Sequence, residues 1–294
     1  MENLMLQLIP GLVLIFISAY NSASLLNWSN PNAWTLSTYW LMALNISWVT
    51  MLLGWLKSLY KNRVDHVDIL WGFAILITCM PAYIANITAL HSAVFVTLLI
   101  WSLRLQIQIH AKQGKEEDKR YQGFRQSFGA QRYWWFSFYQ VYLLQGLLLV
   151  LVNLPAQILL LKPLLSPLIF IGLFICWIGI IYEAIADYQL YRHKKKHSEI
   201  FTSGLFRTSR HPNYFGEILV WLGMTLALLT QAPDLIECIL GILGFSLITY
   251  LLTKVSGVQM TYRIMSKRNG YSQYAKKTNA LIPNFKQLRF KDFC

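Results

Sequence analysis

Long runs almost free of Lys, Arg, Asp and Glu constrain this chain more than anything else in it. About 20 apolar residues are what one α-helix needs to cross a bilayer. Eight runs approach or exceed that length, at residues 4–20, 36–56, 67–90, 92–109, 138–161, 164–186, 214–229 and 235–253. A soluble domain is excluded by the balance behind them. Of the 294 residues, 55% are hydrophobic and 13% charged, against about 25% charged in soluble domains. The pattern predicts an all-α polytopic transmembrane bundle of about eight spans, forming one membrane-embedded domain over residues 1–294.

The cations fall in every second loop. Lys57, Lys61 and Arg63 follow the second run, Lys112 to Arg132 the fourth, Arg192 to Arg210 the sixth, and Lys254 to Lys291 the eighth. The intervening loops hold a single cation, Lys162. Cytoplasmic loops collect Lys and Arg, so both termini are expected in the cytoplasm. This asymmetry and attraction to anionic membrane lipid explain the net charge of +13, with no call for nucleic acid. Glu2 is the only charge before the first run, so a retained first helix is expected rather than a signal peptide. The expected location is a bacterial inner membrane, or the endoplasmic reticulum in a eukaryote. Cys79, Cys176, Cys238 and Cys294 have no CxxC spacing, and no zinc or disulfide framework is implied. No metal is expected.

Charged groups inside spans are costly and are functional candidates by default. Asp68 opens the third run, Arg104 lies late in the fourth, Glu183 and Asp187 sit at the end of the sixth, and Glu217 begins the seventh. Glu183 and Asp187 are four residues apart and share a helix face, which Leu190 and Lys194 continue. In TSRHPNYFGE, residues 208–217, Pro212 suits the first turn of a helix. Asn213, Tyr214 and Glu217 then project near a helix N-terminus, where free N–H groups favour an anion, with Arg207, Arg210 and His211 just before it.

Each signal also has a plainer reading. Lys194 to Lys196 serve as topology determinants. His193 and His197, spaced i, i+4, are separated by three lysines that disfavour a metal. Glu183 and Asp187 pair with Arg192 or Lys194, and Asp68 satisfies helix N-terminal amides. Trp71, Trp101, Trp134 and Trp135 read as an interfacial belt.

GLFRTSRHPNYFGEILVWLG, preceded by YEAIADYQL and followed by LLTKVSGV and GYSQYAKKTNALIPNF, resembles the DUF1295 family of the steroid 5-alpha-reductase-like superfamily. VDHVDILWG, WSLRLQIQIH, EDKRY and LLQGLLL extend the likeness over approximately residues 65–285, with a cofactor half at about 180–285. A similar RHPxYxG segment marks isoprenylcysteine carboxyl methyltransferases, phospholipid methyltransferases and sterol C14 reductases. The resemblance implies a membrane enzyme that moves hydride from NADPH to an enone. Its cofactor-contacting Asn and Asp, followed by a basic residue, match Glu183, Asp187 and Lys194. Glu183 departs from the pattern, because a carboxylate cannot donate as an amide does. Asn213 and Glu217 match the family's helix-start asparagine and carboxylate. Tyr262, Arg263 and Tyr274 fall where cofactor-closing side chains stand.

By the same resemblance, Asp68 stands for the catalytic carboxylate and Trp101 for its tyrosine. Tryptophan gives up no proton in such a role, so Tyr83, Tyr139, Tyr142 and Tyr214 are the candidate phenols. The expected function is an NADPH-dependent ene-reductase acting on a lipophilic small molecule: a steroid, an isoprenoid or an acyl lipid. Arg207, Arg210, Lys112, Lys115 and the lysine triplet suit the phosphates of NADPH, which the alternative cofactor, S-adenosylmethionine, lacks. The alternatives are a lipid or isoprenylcysteine methyltransferase and a non-enzymatic membrane scaffold.

Overall fold

A computed structural model describes residues 10–13, 15–18, 35–114 and 116–288. Residues 10–13 and 15–18 are helical; the rest of the first predicted run, and Lys115, lie outside the described residues. The other seven runs all form helices long and apolar enough to span a bilayer. The protein is a multi-pass membrane protein. Among the described residues, an isolated bridge between Ser209 and Asn279 is the only β feature.

The chain divides into two compact units, Met1–Leu164 and Leu165–Cys294. The first contains α1 (Leu36–Lys61), α2 (Val67–Ala85), α3 (Ala89–Lys112), α4 (Lys119–Phe128) and α5 (Ala130–Ser137). A π-helical turn (Phe138–Leu143), α6 (Leu144–Val152) and α7 (Leu154–Leu161) complete it. The turn between α2 and α3 lies at 86–88 rather than at His91, because the Thr88 side chain caps α3 by accepting from the His91 amide. The fifth predicted run begins earlier, at Gln131, and is broken at Asn153, two residues before Pro155, which has no N–H to donate.

Helices in lipid gain little from the hydrophobic effect, so close packing and interhelical hydrogen bonds join them. Trp48 donates to the Leu143 carbonyl at 3.2 Å, Trp55 to Trp134 at 2.9 Å, and Ser47 to Gly146 at 2.8 Å. These tie α1 to the α5–α6 segment. Trp101 is fully buried and so is a core residue, not part of an interfacial belt. The loop cations also do more than mark topology. Arg63 pairs with Asp65 at 2.7 Å, Arg125 with Glu117 at 3.1 Å, and Arg120 with both Asp68 at 2.7 Å and Asp118 at 3.0 Å. Burial alone would lower the Arg120 guanidinium, but the adjacent Asp68 and Asp118 hold it above its ordinary value. Burial likewise opposes ionisation of Asp118, yet hydrogen bonds from Arg120 leave its carboxyl below the usual range.

Several buried side-chain atoms in this unit lack a hydrogen-bond partner among the described residues, those of Gln157 among them. Gln157 on α7 is wholly buried, and neither side-chain amide atom has a hydrogen-bond partner among the described residues. An orphaned buried polar group costs about 1–3 kcal/mol. Gln157→Leu, close in volume, is therefore expected to raise the unfolding midpoint in detergent; a lower midpoint would show that the amide is satisfied.

The second unit contains α8 (Ile169–Lys196), α9 (Leu205–Thr208), α10 (Pro212–Leu229) and α11 (Leu235–Tyr250). A π-helical turn (Leu251–Val255), α12 (Val258–Met265), α13 (Tyr271–Lys277) and a short 3-10 turn (Phe285–Gln287) follow. Helix α8 outlasts its apolar run by ten residues, and its last turn carries His193 and Lys194 to Lys196, cations favoured at the negative end of a helix dipole. It packs along α10 through facing glycines. A Cβ at Gly172 would lie 2.3 Å from the Ala227 nitrogen, and one at Gly179 would lie 2.6 Å from the Gly216 carbonyl oxygen. A Cβ at Gly223 would lie 2.5 Å from the Gly172 carbonyl oxygen. The two backbones therefore touch, and this contact brings the site residues together.

Candidate functional site

The backbone of the TSRHP segment is set by its sequence and pinned from a distance. A residue before proline is pushed out of the helical region, and His211 sits at φ −135°, ψ 61°, with Pro212 opening α10. Returning chain after α13 then clamps the segment. Arg210 donates its amide to the Asn279 carbonyl at 2.8 Å, Ser209 its hydroxyl to Leu281 at 2.7 Å, and Asn284 its amide to Thr208 at 2.9 Å. Tyr274 donates to the Phe206 carbonyl at 2.5 Å.

Glycine-mediated contact between α8 and α10 then aligns a wall of polar groups. Glu183, Asp187 and Glu217 are all less than a tenth exposed. A Cβ at Gly216 would meet the Cβ of Glu183 at 2.8 Å, so no other residue fits there without moving α8. Asn213 Nδ2 lies 3.4 Å from Asp187 Oδ1, and the Trp221 indole donates to Glu217 Oε1 at 2.8 Å. Four of the predicted cofactor residues thus share one face.

Beside that wall stands an aromatic and cationic group. His211 and Tyr214 stack 5.1 Å apart and nearly parallel. The Arg210 guanidinium lies 5.9 Å from the Tyr262 ring centroid, Tyr262 packs on Tyr271 at 5.9 Å, and Tyr271 on Tyr274 at 6.1 Å. Three polar atoms here are hidden from solvent without a hydrogen-bond partner among the described residues: Arg210 Nε, His211 Nε2 and the Tyr271 hydroxyl. Buried polar atoms are ordinarily paired, and three orphans in one connected group make this a candidate place for a polar ligand.

The remaining predicted residues make none of these contacts. Lys194 is exposed in the last turn of α8 and Arg263 is exposed on α12. Arg207 lines a separate cleft of ≈ 560 Å³ with Tyr274. Asp68 belongs to the first unit, where its carboxylate accepts from Arg120 at 2.7 Å and from the Tyr121 hydroxyl at 2.9 Å. The sequence reading missed Tyr121 and Tyr271. Tyr271 stands three residues before Tyr274 in GYSQY, a helical spacing that was available as a signal. No cluster of three His, Cys, Asp or Glu suited to a metal occurs among the described residues.

A family model described as "Protein of unknown function (DUF1295)" matches residues 54–278. The chain belongs to the DUF1295 family. All of the α8, α10, α12 and α13 side chains described above lie within the DUF1295 region. No curated protein and no solved structure matches the chain.

His211 carries a testable pH signature. Burial, reinforced by the positive charge of Arg210, pushes its imidazole from 6.5 down to about 4. Below pH 6.5 the unfolded chain binds a proton that the folded protein refuses, so the stability from neutral His211 is complete above 6.5 and is lost as pH falls towards 4. A shift of that size corresponds to about 3 kcal/mol. The unfolding midpoint is expected to drop over this window in wild type and to flatten in His211→Gln; parallel profiles would contradict it.

Proposed function

We propose that the protein is a membrane oxidoreductase that uses NADPH to reduce a carbon–carbon double bond in a lipophilic substrate, a steroid, isoprenoid or acyl lipid. The observation that carries this reading is the trio of hidden, unpartnered polar atoms on Arg210, His211 and Tyr271, set beside the buried Asp187–Asn213 and Glu183–Glu217 wall. A dinucleotide needs what these residues offer. Arg210 supplies cationic donors to phosphate; Asp187, Glu183 and Asn213 supply bonds to ribose hydroxyls and a carboxamide; the tyrosines and His211 supply ring faces. Bound NADPH would contribute hydride, and the residues here would orient it. The likeness to the steroid 5-alpha-reductase superfamily supports the same reading. Tyr214, and Tyr121 hydrogen-bonded to Asp68, are the phenols to test as proton donors by Tyr→Phe substitution.

A second reading has its own observation in favour. Three buried carboxylates, Glu183, Asp187 and Glu217, also suit the amine and sulfonium of S-adenosylmethionine, as a lipid or isoprenylcysteine methyltransferase would require. One experiment separates the two. Detergent-purified protein is expected to show a saturable rise in unfolding midpoint with NADPH and none with S-adenosylmethionine. NADPH deuterated at the nicotinamide C4 should pass its label to an extracted membrane lipid. Stabilisation by S-adenosylmethionine alone would overturn the reductase reading.

A further inference from the structure

The ≈ 560 Å³ cleft in the second unit has a chemistry of its own. Its lining includes Arg207 of α9, Lys277 at the end of α13, Lys286 of the 3-10 turn, and the neutral donors Thr202, Gln273 and Thr278. Among the described residues, none of those lining it is Asp or Glu. Its volume falls within the roughly 300–1,000 Å³ of small-molecule sites.

Three cations from three separate segments meet here because the backbone holds those segments together. Asn284 donates its amide to Thr208, next to Arg207, at 2.9 Å. Gln287, next to Lys286, donates its side-chain amide to the Lys277 carbonyl at 3.2 Å. The Lys286 amide is in turn anchored by Asn284 Oδ1 at 3.3 Å. Like charges brought together by folding repel one another, and a dianion among them relieves the repulsion while accepting bonds from the hydroxyl and amide donors.

We infer that this cleft binds a phosphate group, carried either by a soluble phosphate ester or by the headgroup of an anionic lipid. If the ester is the 2′-phosphate that distinguishes NADPH from NADH, the assignment rests on the reductase reading; the cleft itself does not. Tyr274 lines the cleft and packs on Tyr271 of the site, so a molecule in one adjoins the other.

The test uses the full chain, a Lys277→Ala/Lys286→Ala variant, and, as a control, Lys276→Ala, an exposed lysine on the same helix as Lys277. At matched ionic strength, inorganic phosphate is expected to raise the unfolding midpoint of wild type and of Lys276→Ala saturably. The double variant should need at least tenfold more phosphate. Two further arms assign the source. A fall of tenfold or more in the NADPH-to-NADH affinity ratio, with NADH unchanged, assigns the cofactor phosphate. An unchanged ratio, with the double variant losing stabilisation by phosphatidylglycerol over phosphatidylcholine nanodiscs, assigns the lipid. If neither dinucleotide binds wild type while phosphate does so through the two lysines, the reductase reading fails and the cleft assignment stands. Phosphate stabilising neither protein, or both equally, overturns the assignment.

Discussion

Gly172→Leu is expected to lower the unfolding free energy by about 3 kcal/mol or more and to expose Cys176. A Cβ at position 172 would fall 2.3 Å from the Ala227 nitrogen and 2.5 Å from the Gly223 carbonyl oxygen. Both are backbone atoms of α10, which cannot rotate away, whereas carbon contacts are comfortable only from about 3.5 Å. The helices must therefore separate. In lipid their association depends on close backbone approach and shared hydrogen bonds, since lipid tails are as apolar as the side chains. Overpacking against rigid backbone belongs at the costly end of core substitutions. Cys176 provides the readout: it is fully buried, and its thiol donates to the Val220 carbonyl at 3.2 Å. Maleimide labelling located by mass spectrometry should be slow at Cys176 in wild type and fast in the variant. A variant with the wild-type midpoint and a protected Cys176 would show that the helices are not in this contact.

The largest functional effect is expected at Arg210. Arg210→Ala should weaken NADPH binding by about 100-fold, equivalent to about 2.7 kcal/mol, within the range for loss of charge-assisted hydrogen bonds. Stability without ligand should change far less. The Nε atom has no hydrogen bond to lose among the described residues, and the packing over Tyr262 is worth about 0.5–1 kcal/mol at a partly exposed site. Arg210→Lys should recover only part of the affinity, because an ammonium lacks the flat fork that pairs with phosphate. Tyr271→Phe, which removes only a hidden hydroxyl, should cost less than Arg210→Ala. Unchanged NADPH affinity in Arg210→Ala would remove the proposed phosphate contact, and the reductase reading with it.

Much of the site was legible in the sequence because its elements are local. Glu183 and Asp187 announce a shared face by their spacing, and Pro212 announces the start of α10. Asp68 was legible as a charge opening a span, but its partners were not: Arg120 and Tyr121 lie 52 and 53 positions away. Trp101 read as an interfacial residue because its position suits a belt; its complete burial is a matter of tertiary packing that the local sequence does not record. Tyr271 and the two lysines of the cleft were overlooked in a stretch whose basic residues are also explained by topology.

Seven of the eight spans, with the charged groups that interrupt them, could be read from the sequence alone. A bilayer tests each segment separately for apolar length, and a helix satisfies its backbone within that segment, so no distant information is required. Only the tertiary structure decided that Gly172, Gly179, Gly216 and Gly223 face one another, that the TSRHP segment is held by chain 72 positions later, and that Arg207, Lys277 and Lys286 share a cleft. Those outcomes depend on contacts between distant segments, where distances of a few tenths of an ångström decide which side chains fit, and composition and periodicity carry no record of them.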